Sequence, residues 1–188
     1  MYKRQALHYP RMCTPDVLAW PDLLRRALRR GAWVHTVSDF VADEVREAFP
    51  EAGDRVVAVA NGVTRPGPAG PTTDGAAGRA LAGGSRFVLA LGTVEPRKDL
   101  PTLVEAFDAL AHDDPELRLV VAGGPGLAST HLDRAVAAAA HRDRIVRLGR
   151  IGDDQRVALL RAASVVALSL IHISEPTRPL YISYAVFC

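Results

Sequence analysis

Two adjacent cations, Arg97 and Lys98, stand between a predicted strand and a predicted helix. The strand is the apolar run 87–91, which is typical of a parallel strand buried on both faces, and Gly92 ends it in a sharp turn. Asp99 is the predicted N-cap of the helix, and a proline follows in the first turn. Because the N–H groups and dipole of a helix N-terminus favour anions, this spacing predicts a phosphate site formed by the two cations.

Lysine is rare in this chain, which makes Lys98 a stronger signal. The chain has 23 Lys and Arg residues, but lysine occurs only at positions 3 and 98. An adjacent pair of cations is also typical of a solvated surface, yet the position in this loop favours phosphate binding. Charge-assisted hydrogen bonds contribute about 1.5–3 kcal/mol each, and a helix dipole contributes about 0.3–1 kcal/mol. The two side chains should therefore dominate the affinity for an anion.

The composition is that of an ordinary globular protein, with 48% hydrophobic residues, 23% charged residues and a net charge of +2. This small imbalance does not indicate nucleic-acid binding. The two cysteines, Cys13 and Cys188, have neither a disulfide nor a zinc spacing. No apolar run approaches the roughly 20 residues of a membrane span. We therefore expect a soluble, cytoplasmic protein.

Three parts follow one another along the chain. Residues 6–63 are interpreted as the end of an N-terminal domain, and residues 64–85, rich in Pro, Gly and Ala, as an interdomain linker with room for a short helix near its end. Residues 86–167 alternate strands with helices, which predicts a doubly wound parallel sheet. The predicted strands are 33–37, 55–60, 87–91, 117–122, 144–148 and 164–167, and the predicted helices are 18–30, 38–49, 132–141, 154–163 and an amphipathic helix after Asp99 with apolar Leu100, Leu103, Val104, Phe107 and Leu110.

Glycines follow three of the predicted strands, at Gly92, at 123–124 and at 149–152. The carboxyl ends of parallel strands share one edge of a sheet, and ligands bind there. These glycines therefore predict a crevice at that edge. The acidic pairs 113–114 and 153–154 are interpreted as a solvated loop and a helix cap, so we expect no metal site.

Both ends of the chain resemble translated sequencing adapter. The tail LSLIHISEPTR, residues 168–178, and the final ISYAVFC, residues 182–188, match successive parts of a transposase-type adapter, and the initial MYKRQ matches its other face. We therefore interpret residues 1–5 and 168–188 as adapter-derived and exclude them from functional reasoning. The authentic segment would then be about residues 6–167, cut from something longer.

From residue 34 onward the chain resembles glycosyltransferase family 4. The blocks that carry the resemblance occur in family order: VHTVSDFVADEV, VVAVANGV, LALGTVEPRKDLPTLVEAF, LRLVVAGGPG, RIVRLGRIGDDQRVALLRAAS and VVA. The resemblance implies the GT-B architecture, in which two Rossmann-like domains face a cleft. It also implies transfer of a sugar from a nucleotide-diphosphate sugar to an acceptor hydroxyl, with retention of configuration and without a metal.

The same resemblance assigns roles to particular residues. Arg97 and Lys98 would hold the donor diphosphate, with the backbone of Gly92 and Thr93 close by. The loop Gly149, Arg150 and Ile151 would lie along the nucleobase. The partners implied are a nucleotide-sugar donor and an acceptor of unknown type, with no nucleic acid, and membrane association of the parent protein stays open.

The family pattern breaks off after residue 167. Two glutamates with seven residues between them are expected there, but the adapter-like tail begins instead, and Glu175 belongs to that tail. No catalytic residue is therefore assigned, and the chain as it stands is predicted to be inactive. The alternative is a non-catalytic nucleotide-sugar-binding module. A dinucleotide-dependent dehydrogenase is disfavoured because GTVEPR and AGGPG replace GxGxxG, and a P-loop enzyme because GKS and GKT are missing.

Overall fold

The chain folds as two compact units, Met1–Arg65 and Pro66–Cys188. The computed structural model describes residues 5–8, 10–62, 66–84 and 86–168. The termini predicted to be adapter-derived, including Glu175, lie outside these ranges apart from Gln5 and Leu168.

The first unit contains a two-stranded parallel sheet. Strand β1 (Val34–Thr36) pairs with β2 (Val56–Ala58), with Val34 opposite Val56. Its helices are α1 (Gln5–His8), α2 (Pro15–Leu18), α3 (Trp20–Arg29) and α4 (Asp39–Ala48). Apolar side chains of α3 and α4 pack on one face of the sheet, and the buried core is Leu28, Val34, Val41, Ala42, Val45, Phe49, Ala52 and Val56. The strands and helices predicted at 33–37, 55–60 and 38–49 are thus present, each slightly shorter than predicted.

The second unit is built on a four-stranded parallel sheet. Its strands are β3 (Phe87–Leu91), β4 (Arg118–Ala122), β5 (Ile145–Gly149) and β6 (Val165–Ala167), and their order is β5-β4-β3-β6. The chain moves outward from β3 to β5 and then returns to the other side of β3. The order of the strands therefore reverses beside β3, which is where open α/β sheets bind ligands.

Helices cover both faces of this sheet: α5 (Gly75–Leu81), α6 (Leu100–Asp113), α7 (Ser129–Ala138) and α8 (Asp153–Ala162). On one face, Phe107 of α6 and Leu132 of α7 pack with Leu119 and Val121 of β4. On the other face, Leu159 of α8 packs with Phe87 of β3. The predicted doubly wound parallel sheet is confirmed.

Much of the segment predicted as a linker belongs to this second unit. Helix α5 lies so close to α8 that a Cβ on Gly78 would be 2.1 Å from the carbonyl oxygen of Ala158. Arg161 of α8 donates hydrogen bonds to the carbonyl oxygen of Thr73, at 2.9 Å, and to that of Gly67. Small residues permit this close contact, and the same small residues give the segment too little apolar periodicity to predict its packing.

Two expectations about α6 and the residue that follows it were wrong. Leu110 was assigned to the apolar face of α6, but it is 58% exposed because that face ends at Phe107 and Ala111. Asp114, interpreted as solvated, is the C-cap of α6 and forms an ion pair with Arg86.

The acidic pair 153–154 does not cap α8. Gly152 is the N-cap residue, and its N–H donates to the Gln155 side chain at 3.0 Å. Asp154 instead accepts a hydrogen bond from Thr72 at 3.0 Å, which adds to the attachment of residues 66–82 to α8. Within the described residues, no helix is long and apolar enough to cross a membrane.

We predict that Gly78→Ala destabilises the second unit by about 1–3 kcal/mol, because the new Cβ would overlap the Ala158 carbonyl of α8. The matched control is Gly75→Ala in the same helix, where a Cβ would meet the flexible end of Arg79 at 3.4 Å and the carbonyl oxygen of Arg161 at an ordinary contact distance of 3.8 Å. Urea unfolding followed by circular dichroism measures both. Equal stability of the two variants would contradict the close packing of α5 on α8.

A second prediction concerns Asp108 of α6, which accepts hydrogen bonds from the backbone N–H groups of Ala140 at 3.0 Å and His141 at 2.8 Å. These two bonds, chiefly the one from Ala140, hold the pKa of the Asp108 carboxyl below its ordinary value of 3.8, with a smaller contribution from the His141 side chain. A lowered pKa means that the ionised group stabilises the fold above pH 3.8 and loses this effect as the pH falls through the folded-state pKa.

We therefore expect Asp108→Asn to lower the melting temperature near neutral pH, and the deficit to shrink as the pH falls below 3.8. Asp43→Asn is the control, because that carboxylate is 75% exposed in a surface pair with Arg46. A deficit that stays constant with pH would show that the charge of Asp108 is unimportant.

Candidate functional site

The ammonium group of Lys98 lies directly over Gly92 at the carboxyl end of β3. A Cβ added to Gly92 would be 2.1 Å from Lys98 Nζ, and the same nitrogen donates to the carbonyl oxygen of Leu91 at 3.4 Å. Gly92 has φ +116°, a conformation that side chains rarely adopt. Because Gly92 has no side chain, the backbone can make this turn and the Lys98 ammonium group can lie against it.

Arg97 and Lys98 belong to a 3₁₀ turn, Pro96–Lys98, between β3 and α6. Lys98 is half-buried, and this desolvation is the main reason that its pKa lies below the ordinary value of 10.5. Repulsion from Arg97 lowers the pKa further, and Glu95 opposes both effects. Two adjacent cations thus share this turn, and the carboxylate of Glu95 does not reverse the lowering of the Lys98 pKa, so an anion placed beside them would be stabilised.

Asp99 begins α6 in an unusual way. It is the predicted N-cap residue, but it has φ 44° in the left-handed region and its side chain accepts no hydrogen bond from the helix backbone. Its carboxylate instead accepts from the Thr102 hydroxyl at 2.9 Å. Aspartate is one of the few residues that tolerate this conformation, and such backbone strain is concentrated at functional sites. Asp99 is therefore the N-cap residue at the predicted position, although its side chain does not cap the helix.

An open cavity of about 330 Å³ lies at the carboxyl edge of the sheet. Three successive strand ends line it: residues 91–93 after β3, 122–124 at β4, and Arg150 and Ile151 after β5. Arg156 of α8 completes the lining. A crevice is thus present at the predicted edge, and glycines of two of the three predicted groups, at 92 and at 123–124, line it, whereas Gly149 and Gly152 do not.

Backbone hydrogen bonds tie the three strand ends together. The N–H of Gly92 donates to Ala122 at 2.8 Å, and the N–H of Gly123 donates to Gly149 at 2.7 Å. The β4–β5 register shifts by one residue here, so that Gly149 rather than Leu148 lies opposite Ala122. Bulges of this kind redirect the residues that follow, and this one precedes Arg150.

The cavity brings together only part of the predicted set. Gly92, Thr93, Arg150 and Ile151 line it, whereas Lys98 adjoins it through its contact with Gly92. Arg97 and Gly149 are neighbours of these residues in sequence and do not line the cavity themselves.

Sequence reasoning missed Arg156. The available signal was its place near the start of α8, which begins four residues after Gly149 at the ligand-binding edge of the sheet. The charged residues that line the cavity, Arg150 and Arg156, are both cations. In the described part of the chain, no three His, Cys, Asp or Glu side chains are grouped so as to hold a metal ion.

Residues 76–177 match the sequence profile described as glycosyl transferases group 1, and this match covers more than half of the chain. The chain belongs to this family. Among curated protein sequences, none matches it.

Solved structures resemble this glycosyl transferase group 1 chain. A glycosyltransferase from Rickettsia africae has a TM-score of 0.59 at 19% identity, and the match covers 79% of this chain and 40% of that one. An α,α-trehalose-phosphate synthase (UDP-forming) from Burkholderia vietnamiensis has a TM-score of 0.57 at 14% identity, covering 84% and 43%. Anabaena HepE, solved in complex with UDP and glucose, has a TM-score of 0.56 at 19% identity, covering 79% and 40%.

At these identities the likeness shows the fold, and it confirms the predicted α/β fold of GT-B type. The chain spans about two fifths of the length of these relatives.

We predict that Gly92→Ala weakens the binding of inorganic pyrophosphate, because a Cβ would displace the Lys98 ammonium and strain a backbone at φ +116°. Gly124→Ala is the control from the same cavity, since its Cβ would meet only the Arg150 side chain, at an ordinary 3.7 Å. Titration calorimetry measures both affinities. If the two variants lose pyrophosphate affinity equally, the position of the Lys98 ammonium does not depend on the absence of a side chain at Gly92.

Proposed function

We propose that this chain is part of a glycosyltransferase that moves a sugar from a nucleotide-diphosphate sugar to an acceptor hydroxyl with retention of configuration. In this proposal Arg97 and Lys98 bind the donor diphosphate, with the backbone of Gly92 and Thr93 beside it. The loop Gly149, Arg150 and Ile151 lies along the nucleobase. The second unit is the donor-binding part, and the acceptor, a glycan, a lipid or a small molecule, binds elsewhere in the whole protein.

The observation that carries the proposal is the position of the Lys98 ammonium over Gly92, at the edge of the cavity and beside the point where the strand order reverses. Membership of the glycosyl transferase group 1 family supports sugar transfer as the class of reaction. The relative HepE was solved with UDP and glucose, which supports a nucleotide-sugar donor.

The chemistry asked of Arg97 and Lys98 is electrostatic. When the bond between the sugar and the diphosphate breaks, negative charge grows on the departing diphosphate. Two cations that are already held in place, one of them partly desolvated, stabilise this charge without having to reorganise. We therefore assign neutralisation of the leaving group to these side chains and expect no requirement for a metal ion.

A non-catalytic nucleotide-sugar-binding module would use the same cavity and the same cations. The two proposals differ in the residues that follow β6 in the natural gene. Sequencing the intact locus from unfragmented DNA distinguishes them. Two glutamates with seven residues between them beyond Ala167 would support the transferase, whereas other residues at these positions, or a gene that truly ends ISYAVFC, would support the binding module.

We predict that the purified chain binds UDP or another nucleoside diphosphate in the presence of EDTA, and that Lys98→Met lowers this affinity about tenfold or more. The pKa of Lys98 lies below its ordinary value of 10.5, so the ammonium group loses its proton before the pH reaches 10.5. Binding of the diphosphate should therefore weaken over that alkaline range. Titration calorimetry across this pH range measures both effects.

The control is Lys98→Arg, which keeps a positive charge and loses the compact ammonium group. Failure of every nucleoside diphosphate to bind, or binding that requires a divalent metal, would contradict the proposed donor site. Sugar transfer by the purified chain would contradict the prediction that it is inactive.

A further inference from the structure

The cations around the cavity form two separate groups. Lys98, with Arg97, lies beside Gly92 at the end of β3, whereas Arg150 and Arg156 line the cavity on the side of β5 and α8. Gly92 adjoins Lys98, Gly124 adjoins Arg150, and Gly123 packs on Gly92, so the surface that joins the two groups presents backbone. A ligand that engages both groups must therefore carry hydrogen-bond acceptors at two places.

Both cations on the side of β5 and α8 are guanidinium groups, whereas the group beside Gly92 contains an ammonium as well as the guanidinium of Arg97. A guanidinium is a planar fork that pairs with phosphate, with carboxylate or with adjacent acceptors on a base, and unlike an ammonium it also stacks on flat rings. The surroundings of Arg150 and Arg156 therefore decide which of these ligands fits. Arg150 lies beside the backbone, since a Cβ on Gly124 would be 3.7 Å from its Nε and Nη2 atoms. Ile151, between the two arginines in sequence and half-buried, adds an apolar surface to the same side of the cavity. This combination suits a heteroaromatic base better than a second phosphate.

Arg156 is available to a ligand. Its guanidinium forms an ion pair with Asp153 at 3.1 Å, and the side chains of Arg156 and Asp153 are 55% and 89% exposed. A surface pair of this kind contributes little, so the guanidinium can turn from Asp153 to a ligand at small cost. Its backbone is anchored in the first turn of α8, where its N–H donates to Gly152 at 3.0 Å.

We infer that Arg156 selects the nucleobase of the donor by donating hydrogen bonds to a base that presents carbonyl oxygen, guanine or uracil, in preference to adenine. Guanine offers O6 and N7 as adjacent acceptors to a guanidinium, and uracil offers carbonyl oxygens. Adenine places an amino donor where these bases have an oxygen, so the guanidinium meets a donor there. This inference rests on the proposed function and adds the class of base to it.

The test uses the full chain, with UDP, GDP, ADP and inorganic pyrophosphate as probes in titration calorimetry. The unaltered chain should bind UDP or GDP more tightly than ADP. Arg156→Ala should lower the affinity for the preferred diphosphate about tenfold, remove the preference over ADP and leave pyrophosphate binding unchanged. Arg156→Lys should keep pyrophosphate binding and also lose the preference, because the fork is gone while the charge remains.

Arg134→Ala is the matched control, an exposed helical arginine on α7 that does not line the cavity. Melting curves establish that each variant is folded, and Arg156 is exposed, so its replacement should leave them unchanged. Equal weakening of pyrophosphate and nucleoside diphosphates in Arg156→Ala would make Arg156 a phosphate ligand and overturn the inference. An unchanged base preference would overturn it as well.

The proposed function and the inference about Arg156 can fail independently of each other. If Lys98→Met leaves pyrophosphate and nucleotide binding intact, the diphosphate site is wrong even where Arg156 selects the base. If no nucleoside diphosphate binds to the unaltered chain, both proposals are overturned.

Discussion

The central place of β3 in its sheet governs the candidate site. Parallel pairing with β4 on one side and β6 on the other holds Phe87–Leu91 in register over its length, with Leu91 opposite Ala122. The strand order reverses beside β3, so the turn that follows it opens on the ligand-binding edge. Lys98 then needs only a short 3₁₀ turn to return its ammonium group to Gly92. Loss of this register would move the turn and the cation together.

The electrostatics of the site follow from partial burial of like charges. Lys98 keeps a backbone carbonyl as its hydrogen-bond partner and has Arg97 as a repelling neighbour, so its pKa is lowered and its charge is incompletely compensated. On the side of the cavity formed by β5 and α8, Arg156 is paired with the highly exposed Asp153. The anionic part of a nucleotide ligand would compensate the charge of Lys98, and its planar base would replace Asp153 as the partner of Arg156.

Residues 66–82, which precede β3, pack against α8 and thereby hold one wall of the cavity in place. Gly78 brings α5 against the backbone of α8, and Arg161 and Asp154 bind the chain that leads to α5. Helix α8 carries Arg156 in its first turn and follows the Arg150–Ile151 loop. The attachments made by residues 66–82 therefore hold the element that forms one wall of the cavity.

Local signals in the sequence were enough for the fold class, the six strands, the main helices and the edge at which a ligand would bind. Apolar runs, helical spacing and glycines after strands act over a few residues, so 87–91, Gly92 and the N-terminus of α6 could be predicted from neighbouring residues alone. Contacts between distant segments could not. The α5–α8 contact depends on Gly78 meeting Ala158, the ion pair of Asp114 depends on Arg86, and the place of Arg156 depends on how β5 and α8 meet β3 and β4. Tertiary structure decided these features because they arise from close approach between residues that are far apart in the chain, which no local periodicity records.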